Sequence, residues 1–132
     1  MAKDINEKQK ILLVDDNPIE LTTAELFLKD EYEIHKAASG KEALDYLTTN
    51  KLTPNVIMLD ILMPVMDGWE VFNRIRAISV LKNVPIVFLT SLAEEKEKRK
   101  ARELGAADYI IKPYNMTDLK SRIREIFKHT KK

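Results

Sequence analysis

Val56-Ile57-Met58-Leu59-Asp60-Ile61-Leu62-Met63-Pro64-Val65-Met66-Asp67-Gly68 is the stretch that decides the fold. Its first four residues are apolar, with Pro54 just before them and a Pro/Gly loop soon after. A short apolar run bounded in this way reads as a buried strand. Asp60 follows that strand directly, so it sits at the rim of a sheet. In open α/β sheets the rim at the carboxyl ends of the strands is where ligands bind.

Working outward, four more short apolar runs share this character: Ile11–Val14, Tyr32–Ala37, Ile86–Leu89 and Tyr109–Ile111. Their β-branched content favours strands. Pro54 precedes the third run of the chain and Pro85 opens the fourth, where a missing N–H is tolerated. Three of the five runs are continuously apolar, as central parallel strands covered on both faces are. Tyr32–Ala37 carries His35 and Lys36 and alternates, so it is expected at an edge.

Segments of helical period lie between the runs. Asn17-Pro18 with Glu20 supplies an N-cap, a proline at the first helical position and an acid that can close a capping box. Ser39-Gly40-Lys41-Glu42 repeats the capping-box spacing. Gly68 opens a third helix with Trp69, Phe72 and Ile75 as its buried stripe. The fourth, Ala93 to Leu104, is mostly charged, and only Leu92, Ala101 and Leu104 look buried. Its Glu94–Lys98 and Glu95–Arg99 pairs stand at i,i+4, for about 0.2–0.5 kcal/mol each, and Gly105 is its expected stop. The last helix starts near Asn115 and spaces Met116, Leu119, Ile123 and Ile126 along one face. The pattern is βα repeated five times, with room for crossover connections. It predicts an α/β doubly wound, five-stranded parallel sheet with helices on both faces.

The chain has 132 residues, which fits a single domain with a core over about residues 9–128. Lys and Arg number 22 against 21 for Asp and Glu, a net charge of +1. That balance argues against direct nucleic-acid binding. The lack of cysteine excludes disulfides and thiolate metal sites. Met1 to Lys10 is too polar for a signal peptide, and no apolar run approaches the length that spans a bilayer. The expectation is a soluble cytoplasmic protein with no membrane partner. Lys128 to Lys132 reads as a solvated end. His35 and His129 belong to no catalytic constellation.

In a parallel sheet all the strand carboxyl ends lie along one edge. Asp15-Asp16, Asp60, Thr90 and Lys112 each follow a different strand, so the fold itself gathers them. Carboxylates ~4 Å apart repel by about 4 kcal/mol per pair at an effective dielectric near 20. A divalent cation relieves that repulsion, and hard oxygen ligands at strand ends favour Mg²⁺. Lys112 adds positive charge. Together these residues read as a site that accepts a phosphoryl group on Asp60.

Asp15-Asp16, the run from Asp60 through Met63-Pro64 to Asp67-Gly68, Thr90-Ser91 and Lys112-Pro113 resemble the receiver domain of two-component response regulators. The resemblance covers essentially the whole chain and implies the flavodoxin-like strand order 2-1-3-4-5. By that resemblance Asp60 is the phosphoacceptor. Asp16 binds Mg²⁺ directly and Asp15 through water, while Asp60 and the backbone carbonyl of Leu62 complete the protein ligands. Thr90 hydrogen-bonds a phosphoryl oxygen and Lys112 pairs with the phosphoryl group. Lys112-Pro113 resembles the family's cis peptide; the alternative is a proline that merely ends a strand. Tyr109, three residues before Lys112, matches the family's switch aromatic, against the alternative of an ordinary half-buried strand residue. In this scheme phosphorylation draws the Thr90 hydroxyl inward, Tyr109 follows, and the surface of fourth helix, fifth strand and fifth helix repacks for a protein partner. The implied phosphodonor is a histidine kinase or a histidine phosphotransfer protein. Leu62, two after Asp60, and Leu92, two after Thr90, cannot orient an attacking water, so a long-lived acyl phosphate is expected.

Such a module is not an enzyme in the ordinary sense, since it catalyses only its own phosphorylation and slow dephosphorylation. An aspartyl-nucleophile phosphohydrolase of the haloacid dehalogenase type needs an acid where Leu62 stands, together with a cap insertion. A phosphorylation-independent interaction domain would not need the full Asp, Thr and Lys set. Flavin binding would place a phosphate against Asp15-Asp16, which repel it.

Overall fold

In the computed structural model, residues 8–49 and 53–130 are described. Most of the polar N-terminal segment and Lys131-Lys132 lie outside them. Five strands form one parallel sheet: β1 (Gln9–Val14), β2 (Tyr32–Ala37), β3 (Val56–Leu59), β4 (Ile86–Thr90) and β5 (Asp108–Ile111). Their spatial order is β2-β1-β3-β4-β5, with every neighbouring pair parallel. The expected fold is therefore present, with β2 at an edge.

Because side chains alternate across a strand, the sheet divides its apolar residues between two cores. Leu12, Val14, Ile57, Leu59, Ile86 and Phe88 face α2 (Gly40–Thr49), α3 (Gly68–Arg76) and α4 (Glu95–Leu104). Ile11, Leu13, Val56, Met58, Val87 and Ile110 face α1 (Pro18–Leu28) and α5 (Met116–Thr130). No helix among the described residues is long and apolar enough to cross a membrane.

The caps follow local chemistry. Asn17 accepts from the Ile19 and Glu20 amides, with Pro18 at the first helical position. Glu20 does not close a capping box, because Asp15 Oδ1 already accepts the Asn17 N–H at 3.0 Å. At α2 the Glu42 amide donates to Ser39 Oγ, while the Glu42 carboxylate takes the amide of Ala38 instead of Ser39. Gly105 ends α4 in the left-handed region at φ 91°, where a Cβ is unfavourable.

The fourth helix departs most from expectation. It begins at Glu95, two residues late, and its ion pairs run from Glu94 to Lys96 and from Glu95 to Arg102. Eight of its ten residues are charged, so no apolar period marks its start. A short 3₁₀ turn at Ser79–Leu81, before β4, has no counterpart in the sequence reading.

Candidate functional site

Register sets the site. Val14 pairs with Leu59, and Thr90 pairs with Ile111, so the residues that follow these strands meet at one edge. The Asp60 amide donates to the Val14 carbonyl at 3.0 Å and the Lys112 amide to the Thr90 carbonyl at 2.8 Å. Asp15 and Asp60 are buried, Asp16 is exposed, and Thr90 is fully enclosed. Carboxylate oxygens of Asp15, Asp16 and Asp60 all lie within 4.8 Å of one another.

Lys112 holds this cluster together. Its Nζ is 2.6 Å from Asp15 Oδ2, 3.4 Å from Asp60 Oδ2 and 3.7 Å from Glu20 Oε1. The Lys112–Pro113 peptide is cis. Burial alone would lower the Lys112 ammonium. The hydrogen bond that Lys112 donates to Asp15 and the charges of Asp60, Asp15 and Glu20 overcome it and hold the pKa above the ordinary lysine value.

Asp60 is held differently. Oδ1 accepts from the Ile61 amide at 2.7 Å and the Leu62 amide at 3.3 Å, whereas Oδ2 faces Lys112. Burial pushes the Asp60 carboxyl above the ordinary aspartate range. Lys112 opposes that shift, Asp15 adds to it, and the Thr90 hydroxyl and Leu62 amide oppose it. One ammonium against three carboxylates leaves the cluster negative, and every side-chain donor is a hard oxygen. That set fits a divalent cation such as Mg²⁺, with Asp15, Asp16 and Asp60 as the available ligands.

Gly68 closes the site from below. Its amide donates to the Ile61 carbonyl at 2.9 Å, and a Cβ there would collide with the Asp60 carbonyl. Asp67 caps α3 through the Glu70 amide at 3.0 Å. The first turn of α3 therefore rests on the acceptor loop. At the loop tip Val65 has φ 70°, and the Met66 amide donates to the Pro64 carbonyl at 2.7 Å.

The site opens into a cleft of about 590 Å³ that includes Asp15, Asp16, Asp60, Leu62, Ser91 and Lys112. Sequence reasoning overlooked two further walls, Glu20 and Tyr114. By spacing Glu20 fits a cap, although its place one turn beyond Asp16 also points to the site. Tyr114 stands two residues past Lys112 and packs edge-on against Phe27; its hydroxyl is buried with no hydrogen-bond partner among the described residues.

The two leucines part company. Leu62 is 52% exposed and lines the cleft. Leu92 packs against the core, and its backbone does the polar work: its amide donates to Thr90 Oγ1 at 3.4 Å and its carbonyl accepts from Tyr109 at 2.8 Å. Tyr109 is thus half-buried and tied to the β4–α4 loop. Burial first, then Glu97 and Asp60, push its phenol up to about 12. Phe72 is buried and stacks on Phe88, while Trp69, expected in the core, is only partly buried and packs at a tilt against the same ring. His35 lies beside Glu33 on its own strand and near the Tyr46 ring, and His129 beside Glu125 on its own helix.

Comparison with known proteins identifies the family and agrees with the fold. A family model described as response regulator receiver domain matches residues 11–124. A probable transcriptional regulator ycf27 of Pyropia yezoensis is 38% identical over 128 residues, covering 96% of this chain and 51% of that protein. A probable cyclic di-GMP phosphodiesterase of Vibrio cholerae is 38% identical over 113 residues, 86% of this chain and 25% of that protein. The chain thus spans a quarter to about half of these curated relatives. Among solved structures, the chemotaxis protein CheY4 of Vibrio cholerae superposes with a TM-score of 0.84 at 32% identity, covering 90% of this chain and 98% of that one. A putative response regulator from Chloroflexus aurantiacus gives a TM-score of 0.84 at 33% identity, with coverage of 92% and 99%.

Proposed function

The chain belongs to the response regulator receiver family, and from that premise we propose that Asp60 is its phosphoacceptor in a two-component or phosphorelay system. The observation that carries this reading is the convergence of Asp15, Asp16, Thr90 and Lys112 on one buried carboxylate. The whole domain, with a core over about residues 9–128, acts as a signalling module and not as a turnover enzyme. Its donor is a phosphohistidine, carried by a histidine kinase or a histidine phosphotransfer protein, which places the reaction in the cytoplasm. Its readers are proteins, not nucleic acid or membrane.

In this reading Asp60 Oδ2 attacks phosphorus in line. The new P–O bond forms as the P–N bond to the donor imidazole breaks, and the imidazole leaves with a proton from solvent. Phosphoryl transfer asks mainly for positioning and charge stabilisation. The Ile61 and Leu62 amides hold Oδ1 and so aim Oδ2 toward Lys112. The Lys112 ammonium, now shared among carboxylates, turns to the phosphoryl oxygens. The Thr90 hydroxyl takes another of those oxygens. Asp16, Asp15 through water, Asp60 and the Leu62 carbonyl would hold Mg²⁺, which offsets negative charge on the phosphoryl group. Leu62 offers no group to orient water, which favours a long-lived acyl phosphate.

The switch follows from the same contacts. Thr90 moves toward the phosphoryl group, and Tyr109, bonded to the loop that carries Leu92, moves with it. The face built by α4, β5 and α5 then changes shape for its protein target. The test is transfer from a phosphorylated histidine phosphotransfer protein. We expect the label to move to wild type and not to Asp60→Asn. No label on wild type would leave a phosphorylation-independent interaction domain as the better account, and label on Asp60→Asn would move the acceptor to another residue.

A further inference from the structure

The least anchored helix is α4, whose single buried residue is Ala101. Its apolar face is narrow, Ala101 with the partly buried Leu104, so it needs help from outside its own sequence. Two contacts supply it. One is the bond from the Tyr109 hydroxyl to the Leu92 carbonyl, at the loop that leads into α4. The other is within the helix itself, where Lys100 Nζ sits 4.4 Å from the centroid of the Trp69 ring. Trp69 belongs to α3, and its ring also packs on Phe88 of β4 at 4.9 Å.

Trp69 follows Gly68, whose backbone is seated on Asp60 and Ile61. A displacement of the acceptor loop therefore reaches the first turn of α3 without crossing the sheet. From there the indole carries it to Lys100. We propose that Trp69 and Lys100 form a second mechanical link between the phosphoacceptor and α4, running through α3 and separate from Thr90 and Tyr109. The inference rests on the phosphoacceptor reading of Asp60 and concerns how that site is regulated. The contact is also light enough to act as a latch. An ammonium over an indole at a solvated site contributes about 0.5–1 kcal/mol, so removing it opens α4 roughly two- to five-fold more often.

Trp69 is the only tryptophan in the chain, so its emission reads the contact directly. The experiment treats wild type, Lys100→Met and Tyr109→Ala with acetyl phosphate and Mg²⁺. Intact mass is followed beside tryptophan emission. Lys100→Met keeps the aliphatic stem of a solvent-facing residue, so the fold is undisturbed. Lys100 touches no group at the acceptor site, so the added phosphoryl mass should match wild type. The expected result is an emission change that persists in Tyr109→Ala and is lost in Lys100→Met. Full phosphorylation with no emission change in wild type, a change abolished in Tyr109→Ala, or one intact in Lys100→Met overturns the second link and leaves the acceptor reading standing. No added mass in wild type overturns both.

Discussion

α4 and α5 flank the same edge strand and are held in opposite ways. α5 buries Leu119, Ile123 and Ile126 at successive turns, and burying each such side chain contributes about 1.5–3 kcal/mol. α4 fully buries only Ala101, with Leu104 partly buried beside it, and is tied further by one hydroxyl and one ammonium. β5 therefore has a fixed flank and a light one. Elements that move in signalling come from the low-stability end of a structure, so the light flank is where a change at Asp60 should appear. The fixed flank keeps Lys112 and the cleft in register while it does.

The sharpest way to break this contrast is by truncation. Ile123→Ala should lower the unfolding free energy by about 2–5 kcal/mol. Ala101→Gly should lower it by about 1 kcal/mol, the helix-propensity difference. Urea unfolding measures both, and equal losses would mean that α4 is anchored as firmly as α5. Charge at the site gives the next effect. The Asp60 pKa is raised by burial in the folded protein. Its contribution to stability is therefore fully present at acid pH and is lost as pH rises through the folded value. Asp60→Asn, in chelator, should be more stable than wild type at pH 7. That gap should close below about pH 4, where both side chains are neutral. A gap that does not vary with pH would contradict the assigned shift.

Smaller changes sharpen the comparison. Tyr109→Phe removes one hydrogen bond, worth about 1 kcal/mol. Amide exchange should rise across α4 and stay level across α5. Leu62→Asn, at a surface position, should change stability by no more than about 0.5 kcal/mol yet shorten the phosphoryl lifetime, because an amide in the cleft can orient water. Unchanged decay of the phosphorylated protein would remove Leu62 from that role.

The site was legible for a topological reason. A parallel sheet aligns its strand ends, so Asp15, Asp16, Asp60, Thr90 and Lys112 could be gathered from strand boundaries alone. The same reasoning found α4 and its stop at Gly105 but set its start two residues early, because a helix written almost wholly in charged residues has no apolar period to mark where it begins. It was blind to Lys100 over Trp69, a contact 31 positions apart between helices that no local pattern joins. Glu20 was read as a cap because spacing favours one, and nothing in the sequence reveals that Asp15 already takes the Asn17 amide. Leu62 and Leu92 look alike in sequence, each two residues beyond a site residue. The chain turns one into the cleft and packs the other against the core.

The central claim is that Asp60 takes the phosphoryl group. Its most direct test is intact mass and peptide mapping after exposure to acetyl phosphate with Mg²⁺. The account predicts one added phosphoryl group, mapped to Asp60 and absent from Asp60→Asn. A wild type that gains no mass, or an Asp60→Asn variant that still gains it, would contradict the account.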